Sequence, residues 1–277
     1  MPELPEVETI RRALAAVLPG RLVERAHAGP LPLRAPWPRQ ALRLRIQGQR
    51  VESVGRRAKH LLLRFANHAT LVIHLGMSGR LLLVGQGVPP GRHVHLRLQL
   101  DSGQELRLVD PRRFGSVQVL DGVVRTEAAA FAGLGPEPLD PDWGASALSS
   151  PARGRRGPVK SFLMDGRVVA GIGNIYASEI LFAARLHPEQ PVPTLPPAAW
   201  ERLALAVRQV LARAVAAGGT TIADFVGADG QVGSFQNELA VYGRAGEPCP
   251  ACGTPIASQR LAGRSTFFCP SCQRYPG

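Results

Sequence analysis

The chain is nearly devoid of lysine. Of its 33 basic residues only two, Lys59 and Lys160, are lysine, and the other 31 are arginine. Guanidinium cannot shuttle a proton near neutral pH. The two lysines are therefore either candidates for positions that need a compact, deprotonatable amine, or simply what codon bias left behind. Long apolar runs are also missing: stretches such as 81–84 and 61–63 fall far short of the ~20 residues a membrane span needs. No basic segment precedes an apolar one at the start. Met-Pro-Glu-Leu-Pro-Glu opens the chain and places three acids in the first eight residues, the opposite of a signal peptide. These absences exclude secretion and membrane insertion and lead us to expect a cytoplasmic protein. Cysteine is scarce, with four in all. Acids are outnumbered 33 to 21, giving a net charge of +12 and a sequence pI near 11.0. The natural partner of so basic a protein is a polyanion. With 277 residues, 45% of them hydrophobic, there is material for about two folded domains and little prospect of disorder.

Residues 5–18 predict a helix. Val7, Ile10, Leu14, Val17 and Leu18 share a face, Glu6 and Glu8 lie in the first turn, and Pro19-Gly20 stops it. A proline-rich loop follows over 29–38. From 41 to about 120 the period becomes two: Leu42/Leu44/Ile46, Val94/Leu96/Leu98/Leu100 and Leu106/Leu108 alternate with polar residues. An antiparallel sandwich or barrel behind the first helix is expected. Residues 133–158, rich in Gly, Pro, Ser and Arg, read as an interdomain linker. Helical periodicity returns over 174–186 and 197–217. Residues 218–233 hold five glycines and no clear period, the mark of a long functional loop.

Cys249-x2-Cys252 and Cys269-x2-Cys272 are separated by 16 residues, the spacing of a zinc ribbon. Two such knuckles supply four thiolates for one closed, structural Zn²⁺ site; the other reading is a pair of disulfides. Either way no thiol is left for catalysis. Arg264, between the knuckles, would be presented at a hairpin tip, where phosphate contacts are common. At the other end, Met1 before a small residue is normally removed. Pro2 would then carry a secondary amine, and a free α-amino group titrates at about 7.7–8.0. Such an amine attacks a carbonyl-like carbon to give an iminium, with Glu3 or Glu6 as proton donor or acceptor; it is equally just a chain end. Gly171-Ile-Gly173-Asn174 opens a helix with Asn174 as a suitable N-cap, either an anion site or a plain tight turn. Asp110-Pro-Arg-Arg-Phe-Gly115 is either a wedge into a base stack or a salt-bridged turn with Phe114 in the core. His74-Leu-Gly-Met-Ser-Gly79 reads equally as the end of a core strand.

Seven motifs in order carry a resemblance. Met1-Pro-Glu-Leu-Pro-Glu-Val-Glu-Thr9, Arg56-Arg-Ala-Lys-His60, His74-Leu-Gly-Met-Ser-Gly79, Asp110-Pro-Arg-Arg-Phe-Gly115, Gly173-Asn-Ile-Tyr-Ala-Ser-Glu179 and Tyr242-Gly-Arg244 precede Cys249-Pro-Ala-Cys252-Gly-Thr-Pro-Ile256. Over residues 2–274 the sequence resembles the bacterial formamidopyrimidine-DNA glycosylases, which repair 8-oxoguanine. The Glu-Leu-Pro-Glu start is similar to this branch rather than to the endonuclease VIII branch. The resemblance implies an α+β fold. A helix and β-sandwich would span 1–132, and the linker 133–158. A helix–two-turns–helix domain would span 159–240, and a zinc ribbon 241–277, with DNA in the cleft between.

It further implies a bifunctional glycosylase and AP lyase acting on damaged double-stranded DNA as a monomer, associated with the nucleoid, with one structural Zn²⁺ held by Cys249, Cys252, Cys269 and Cys272. Pro2 would attack C1′ of the damaged nucleotide, and Glu3 would help open the sugar ring. Lys59 would assist the first strand-cleaving elimination and Arg264 the second. Met77, Arg112 and Phe114 would fill the hole left by the extruded base, with Arg112 facing the orphaned cytosine. His74, His93, Arg155, Lys160, Asn174 and Tyr242 match positions at the DNA or the lesion. The loop over 218–233 corresponds to a lid over the extruded base. One departure stands out. The family commonly has Asp between His93 and His95, where this chain has Val94, so the histidines lose a carboxylate neighbour. The other readings are an enzyme of the endonuclease VIII type and a non-catalytic zinc-ribbon protein; binding alone would need no N-terminal amine beside Glu3 and Lys59.

Overall fold

The computed structural model describes residues 2–122, 126–220 and 234–275. The chain divides into two compact units, Met1–Ala132 with Gly218–Gly233, and Gly133–Ala217 with Ser234–Gly277.

Unit 1 begins with α1 (Leu4–Val17), which presents Val7, Ile10 and Leu14 inward at the expected spacing. Behind it, among the described residues, stand eight strands: β1 (Val23–Ala28), β2 (Val51–Arg57), β3 (His60–Phe65), β4 (Thr70–His74), β5 (Arg80–Gly85), β6 (Val94–Leu100), β7 (Gln104–Val109) and β8 (Ser116–Leu120). They form two antiparallel sheets, in the orders β1-β6-β7-β5 and β2-β3-β4-β8. Leu61, Leu63 and Phe65 of one sheet and Leu96, Leu98, Leu106 and Leu108 of the other enter a single core with the α1 residues, as in a sandwich. The run Leu61, Leu62, Leu63 does not alternate because both faces of β3 are covered. Leu62 packs outward with Val72 and Leu120 under Phe131.

Two expectations need correction. Leu42, Leu44 and Ile46 are not a strand: Leu42–Ile46 is one turn of π-helix. Leu42 and Ile46 are buried four apart while Leu44 is 58% exposed, a spacing that a five-residue alternation imitates. The segment read as a linker is folded into unit 2. Trp143 and Leu148 are buried, and Arg208 Nη1 donates to the carbonyls of Asp140, Pro141 and Trp143 at 2.9, 3.0 and 2.9 Å. One guanidinium does there what a regular element would do for those backbone groups.

Unit 2 comprises α2 (Ser146–Ala152), α3 (Val159–Leu163), α4 (Asn174–Ala183), α5 (Pro197–Ala216) and the hairpin of β9 (Ala257–Leu261) with β10 (Arg264–Phe268). Helix α4 is buried on nearly every side, through Tyr176, Ala177, Ser178, Glu179, Ile180 and Leu181. It ends at Ala183, short of 186, because Arg185 takes a left-handed φ of 56°. The hairpin has its own small core of Val241, Cys249, Ile256 and Cys269, packed on Phe182 at the end of α4. Among the described residues no helix is long and apolar enough to cross a membrane.

Candidate active site

Helix α1 fixes the start of the chain. Its N-cap is Glu3, fully buried, whose carboxylate accepts the Glu6 N–H while Glu6 Oε2 accepts the Glu3 N–H at 2.8 Å. This reciprocal capping box immediately follows the half-buried Pro2. Glu6 has a second attachment, since its Oε1 accepts both the N–H (2.8 Å) and the hydroxyl (3.0 Å) of Thr220. Of the two carboxylates expected to handle protons, Glu6 is thus engaged on both oxygens, and Glu3 is the one adjoining Pro2.

Lys59 occupies the two-residue turn between β2 and β3, after Ala58 with a φ of 51°. The turn is braced to α1. Arg56 Nε donates to Glu8 Oε2 at 3.0 Å, and Arg56 Nη1 donates to the Ala58 carbonyl at 2.9 Å. Burial by itself would raise the Glu8 carboxyl, but Arg11, Arg56 and Arg12 together hold it below the usual carboxylate range. Next to Lys59, His60 faces His74 across the β3–β4 pairing, with ring centroids 4.9 Å apart. Burial, reinforced by His60, Lys59 and Arg34, pushes His74 down to about 4, and burial likewise lowers His60. His74 is neutral at pH 7, and its Nδ1 accepts the Gly76 N–H at 3.0 Å, which fixes the entry to the Met77 turn.

Beyond that turn three side chains project. Met77 and Phe114 are each 44% exposed, and the exposed Arg112 lies with its guanidinium carbon 4.6 Å over the Phe114 ring. The salt-bridged-turn alternative for this motif fails, because Phe114 is outside the core. His93, exposed, leads into β6, and its carbonyl accepts the Asp110 N–H at 3.0 Å.

In unit 2, four candidates converge on β10. Arg264 is exposed at its first residue, after the Ala262-Gly263 turn with φ of 49° and 76°. Both positive values suit a tight hairpin turn. Lys160 is only 2% exposed and donates to Thr266 Oγ1 at 2.7 Å and to the Ser265 carbonyl at 3.1 Å. Asn174 is the first residue of α4 and not its cap, which is Gly173; its Nδ2 donates to the same Ser265 carbonyl at 2.9 Å. Tyr242 sets its ring edge-on to Phe267, and its N–H is one of three successive amides, from Ala240, Val241 and Tyr242, bound by Glu179. Burial pushes the Glu179 carboxyl up against those bonds. Arg155 stands apart, paired with Asp165 at 2.8 Å and placed over the Phe162 ring.

The four cysteine sulfurs lie within 4.8 Å of one another. Cys252 and Cys269 Sγ are 3.5 Å apart, and Cys249 and Cys272 Sγ 4.0 Å, far too long for disulfides. Four thiolates at ~2.3 Å around a tetrahedral zinc would be spaced by about 3.8 Å. Backbone N–H groups of Ala251 and Cys272 donate to Cys249 and Cys269 Sγ at 3.4 Å, as thiolates carrying negative charge require. The donor set is that of one structural Zn²⁺.

Family models match three successive stretches: the formamidopyrimidine-DNA glycosylase N-terminal domain over residues 1–117, its H2TH domain over 134–226, and the zinc finger found in FPG and IleRS over 246–274. The chain belongs to the formamidopyrimidine-DNA glycosylase family. It is 50% identical over 274 residues to the formamidopyrimidine-DNA glycosylase of Pseudomonas aeruginosa (strain UCBPP-PA14), covering 99% of this chain and 100% of that one. The same enzyme of Alkalilimnicola ehrlichii is 50% identical over 280 residues, with 99% and 100% covered. Among solved structures, the Thermus thermophilus MutM (FPG) protein is 39% identical with a TM-score of 0.86, each chain covered in full. The wild-type Lactococcus lactis Fpg in complex with N7-benzyl-Fapy-dG DNA is 32% identical with a TM-score of 0.89, covering 99% of this chain and 100% of that one. The family's three parts are all present: the helix-fronted β-sandwich, the helix–two-turns–helix domain and the four-cysteine ribbon.

Four residues around these candidates escaped sequence reasoning. Asp110 and Ser78 stood inside the quoted motifs, yet nothing in the spacing said that they bond to each other. Arg56 opened a quoted motif too, but nothing marked this one arginine among 31 as the brace to Glu8. Thr266 carried no signal at all. The lid expected over 218–233 falls, from residue 221 on, outside the described residues.

Proposed function

We propose that this chain removes oxidised purines, 8-oxoguanine and formamidopyrimidines, from duplex DNA and then nicks the strand by β,δ-elimination, with Pro2 as nucleophile. The observation that carries the reading is the placement of Pro2 directly ahead of a fully buried Glu3 that caps α1. Once Met1 is removed, the Pro2 nitrogen is a secondary amine held at a helix start. It attacks C1′ as the bond to the base breaks, and the base leaves with a proton. Glu3 protonates the ring oxygen O4′, which opens the sugar and leaves an iminium between Pro2 and C1′. Loss of a C2′ proton then expels the 3′ phosphate, with Lys59 holding that phosphate. A second elimination expels the 5′ phosphate, assisted by Arg264.

Met77, Arg112 and Phe114 fill the space of the extruded nucleotide, and Arg112 addresses the orphaned cytosine. His93, Arg155, Asn174 and Tyr242 lie along the DNA. His74 acts indirectly, by holding the Met77 turn. Residues 1–132 carry the chemistry, 159–240 the helix–two-turns–helix grip and 241–277 the ribbon. One chain is the working unit, and its place is on the nucleoid in the cytoplasm. Solved relatives bound to DNA containing a benzylated Fapy-dG and to abasic-site DNA support the same substrate class here.

The test is incubation with a duplex carrying 8-oxoguanine opposite cytosine, with borohydride present. The expected result is a covalent protein–DNA adduct mapping to the N-terminal peptide, lost in Pro2→Gly or when Met1 is retained, while duplex binding survives. An adduct at Lys59 or Lys160 would overturn the nucleophile assignment.

A further inference from the structure

The turn that carries Met77 and the turn that carries Arg112 and Phe114 are joined by a buried carboxylate that the chemistry does not use. Asp110 is fully buried. Its Oδ1 accepts the Ser78 hydroxyl at 2.6 Å, and its Oδ2 accepts the Gly115 N–H at 2.8 Å. Ser78 Oγ in turn accepts the Arg112 N–H at 3.3 Å. The Asp110 backbone is held as firmly: its N–H donates to the His93 carbonyl, and its carbonyl accepts His95 Nε2 at 3.0 Å. The two turns also touch directly, because a Cβ on Gly76 would lie 2.4 Å from the Phe114 carbonyl carbon. From the proline-rich loop, the Arg34 N–H closes the far side on the Gly115 carbonyl at 3.0 Å.

We propose that Asp110 and Ser78 are positioning residues that hold Met77, Arg112 and Phe114 as one pre-assembled wedge, and so set how well a base is extruded and its opposite base read. The inference rests on the void-filling role of those three side chains. Its physical basis is preorganisation. Two loops that had to order themselves at the moment of insertion would lose conformational entropy in that step. Here the loss is already met in the free protein, by bonds that no nucleic acid needs to supply. A charged acceptor shared between two turns is well suited to this, since hydrogen bonds to a carboxylate are about twice as strong as neutral ones.

The experiment compares the wild-type protein with Ser78→Ala, which removes the bridge without touching the projecting side chains, and with Ser78→Thr, which keeps the hydroxyl. Single-turnover excision is measured on duplexes with 8-oxoguanine opposite cytosine or adenine, and borohydride trapping on a single-stranded abasic oligonucleotide, where no base has to be extruded. A 2-aminopurine beside the lesion reports insertion independently of chemistry. In Ser78→Ala, duplex excision should fall about tenfold relative to single-strand trapping. The cytosine-over-adenine preference should narrow, the 2-aminopurine signal should weaken, and Ser78→Thr should restore all three. Equal losses on both substrates, or full excision with full cytosine preference, would overturn the positioning role. If the wild-type protein neither excises nor traps, the glycosylase reading fails instead, and the 2-aminopurine signal still decides whether the wedge is pre-assembled.

Discussion

Lys160 separates a sequence expectation from what the structure imposes. As a cation at a DNA-contact position it should neutralise one phosphate, and its removal should reduce the salt slope of binding by about 0.9. Buried at 2% exposure, with its ammonium on Thr266 Oγ1 and the Ser265 carbonyl, it has another role: it fixes β10 behind Arg264. Lys160→Met keeps the length of the side chain and removes the charge. A bond from a charged donor contributes ~1.5–3 kcal/mol, but desolvating an ammonium costs several kcal/mol in return. One acceptor keeps a donor and the other keeps only its own bond. Ser265 retains Asn174 Nδ2 at 2.9 Å, while the Thr266 hydroxyl loses the lysine but still donates to the Arg264 carbonyl at 3.3 Å. The net loss should be about 1–2 kcal/mol, confined to the hairpin and readable as roughly a five- to thirtyfold faster amide exchange on β10. DNA affinity should drop because Arg264 is less well placed, with an unchanged slope of log affinity against log salt. A slope reduced by about 0.9, with β10 exchange unaltered, would refute the burial argument and restore Lys160 as a phosphate contact.

Zinc and pH offer two further checks. Chelation, or Cys249→Ser, should release one zinc per chain and unfold β9–β10, because a ribbon this small has too little core without its metal; full DNA affinity in the metal-free protein would contradict this. His74 is lowered from 6.5 to about 4 mainly by burial, so between those values the unfolded chain binds a proton that the native state refuses, and stability falls as pH falls through that window. The loss amounts to at most roughly 3 kcal/mol by pH 4, and His74→Asn, which keeps an acceptor for the Gly76 N–H, should show a correspondingly flatter decline in thermal midpoint between pH 7 and pH 4.5.

Helix α1 was legible because local signals agree: apolar residues at 7, 10 and 14, acids in the first turn and Pro19-Gly20 at the end. The four-cysteine site was legible because its ligands are paired closely in sequence. Residues 42–46 misled, since a five-residue alternation of Leu and Arg satisfies two periods and the tertiary core alone chose between them. Residues 133–158 misled for a related reason. The carbonyls of Asp140, Pro141 and Trp143 are satisfied by Arg208, some 65 positions away, and no composition reveals a partner so distant. The same holds for Lys160, whose acceptors on β10 lie more than a hundred residues downstream. Motifs identify which side chains matter; they do not say whether a cation faces nucleic acid or protein.

The near-contact of Gly76 with Phe114 has a consequence for anyone who would redesign the enzyme. The backbone of the two turns is a single casting: a side chain at 76 would collide with main chain, which cannot rotate away as a flexible side chain does. Met77, Arg112 and Phe114, by contrast, are exposed, so exchanging them displaces no neighbour in the core. The tip is therefore an interchangeable bit on a fixed shank. A library that varies positions 77, 112 and 114 together while leaving 76, 78, 110 and 115 untouched should yield folded proteins at high frequency, and any new opposite-base preference found among them can be credited to the bit alone.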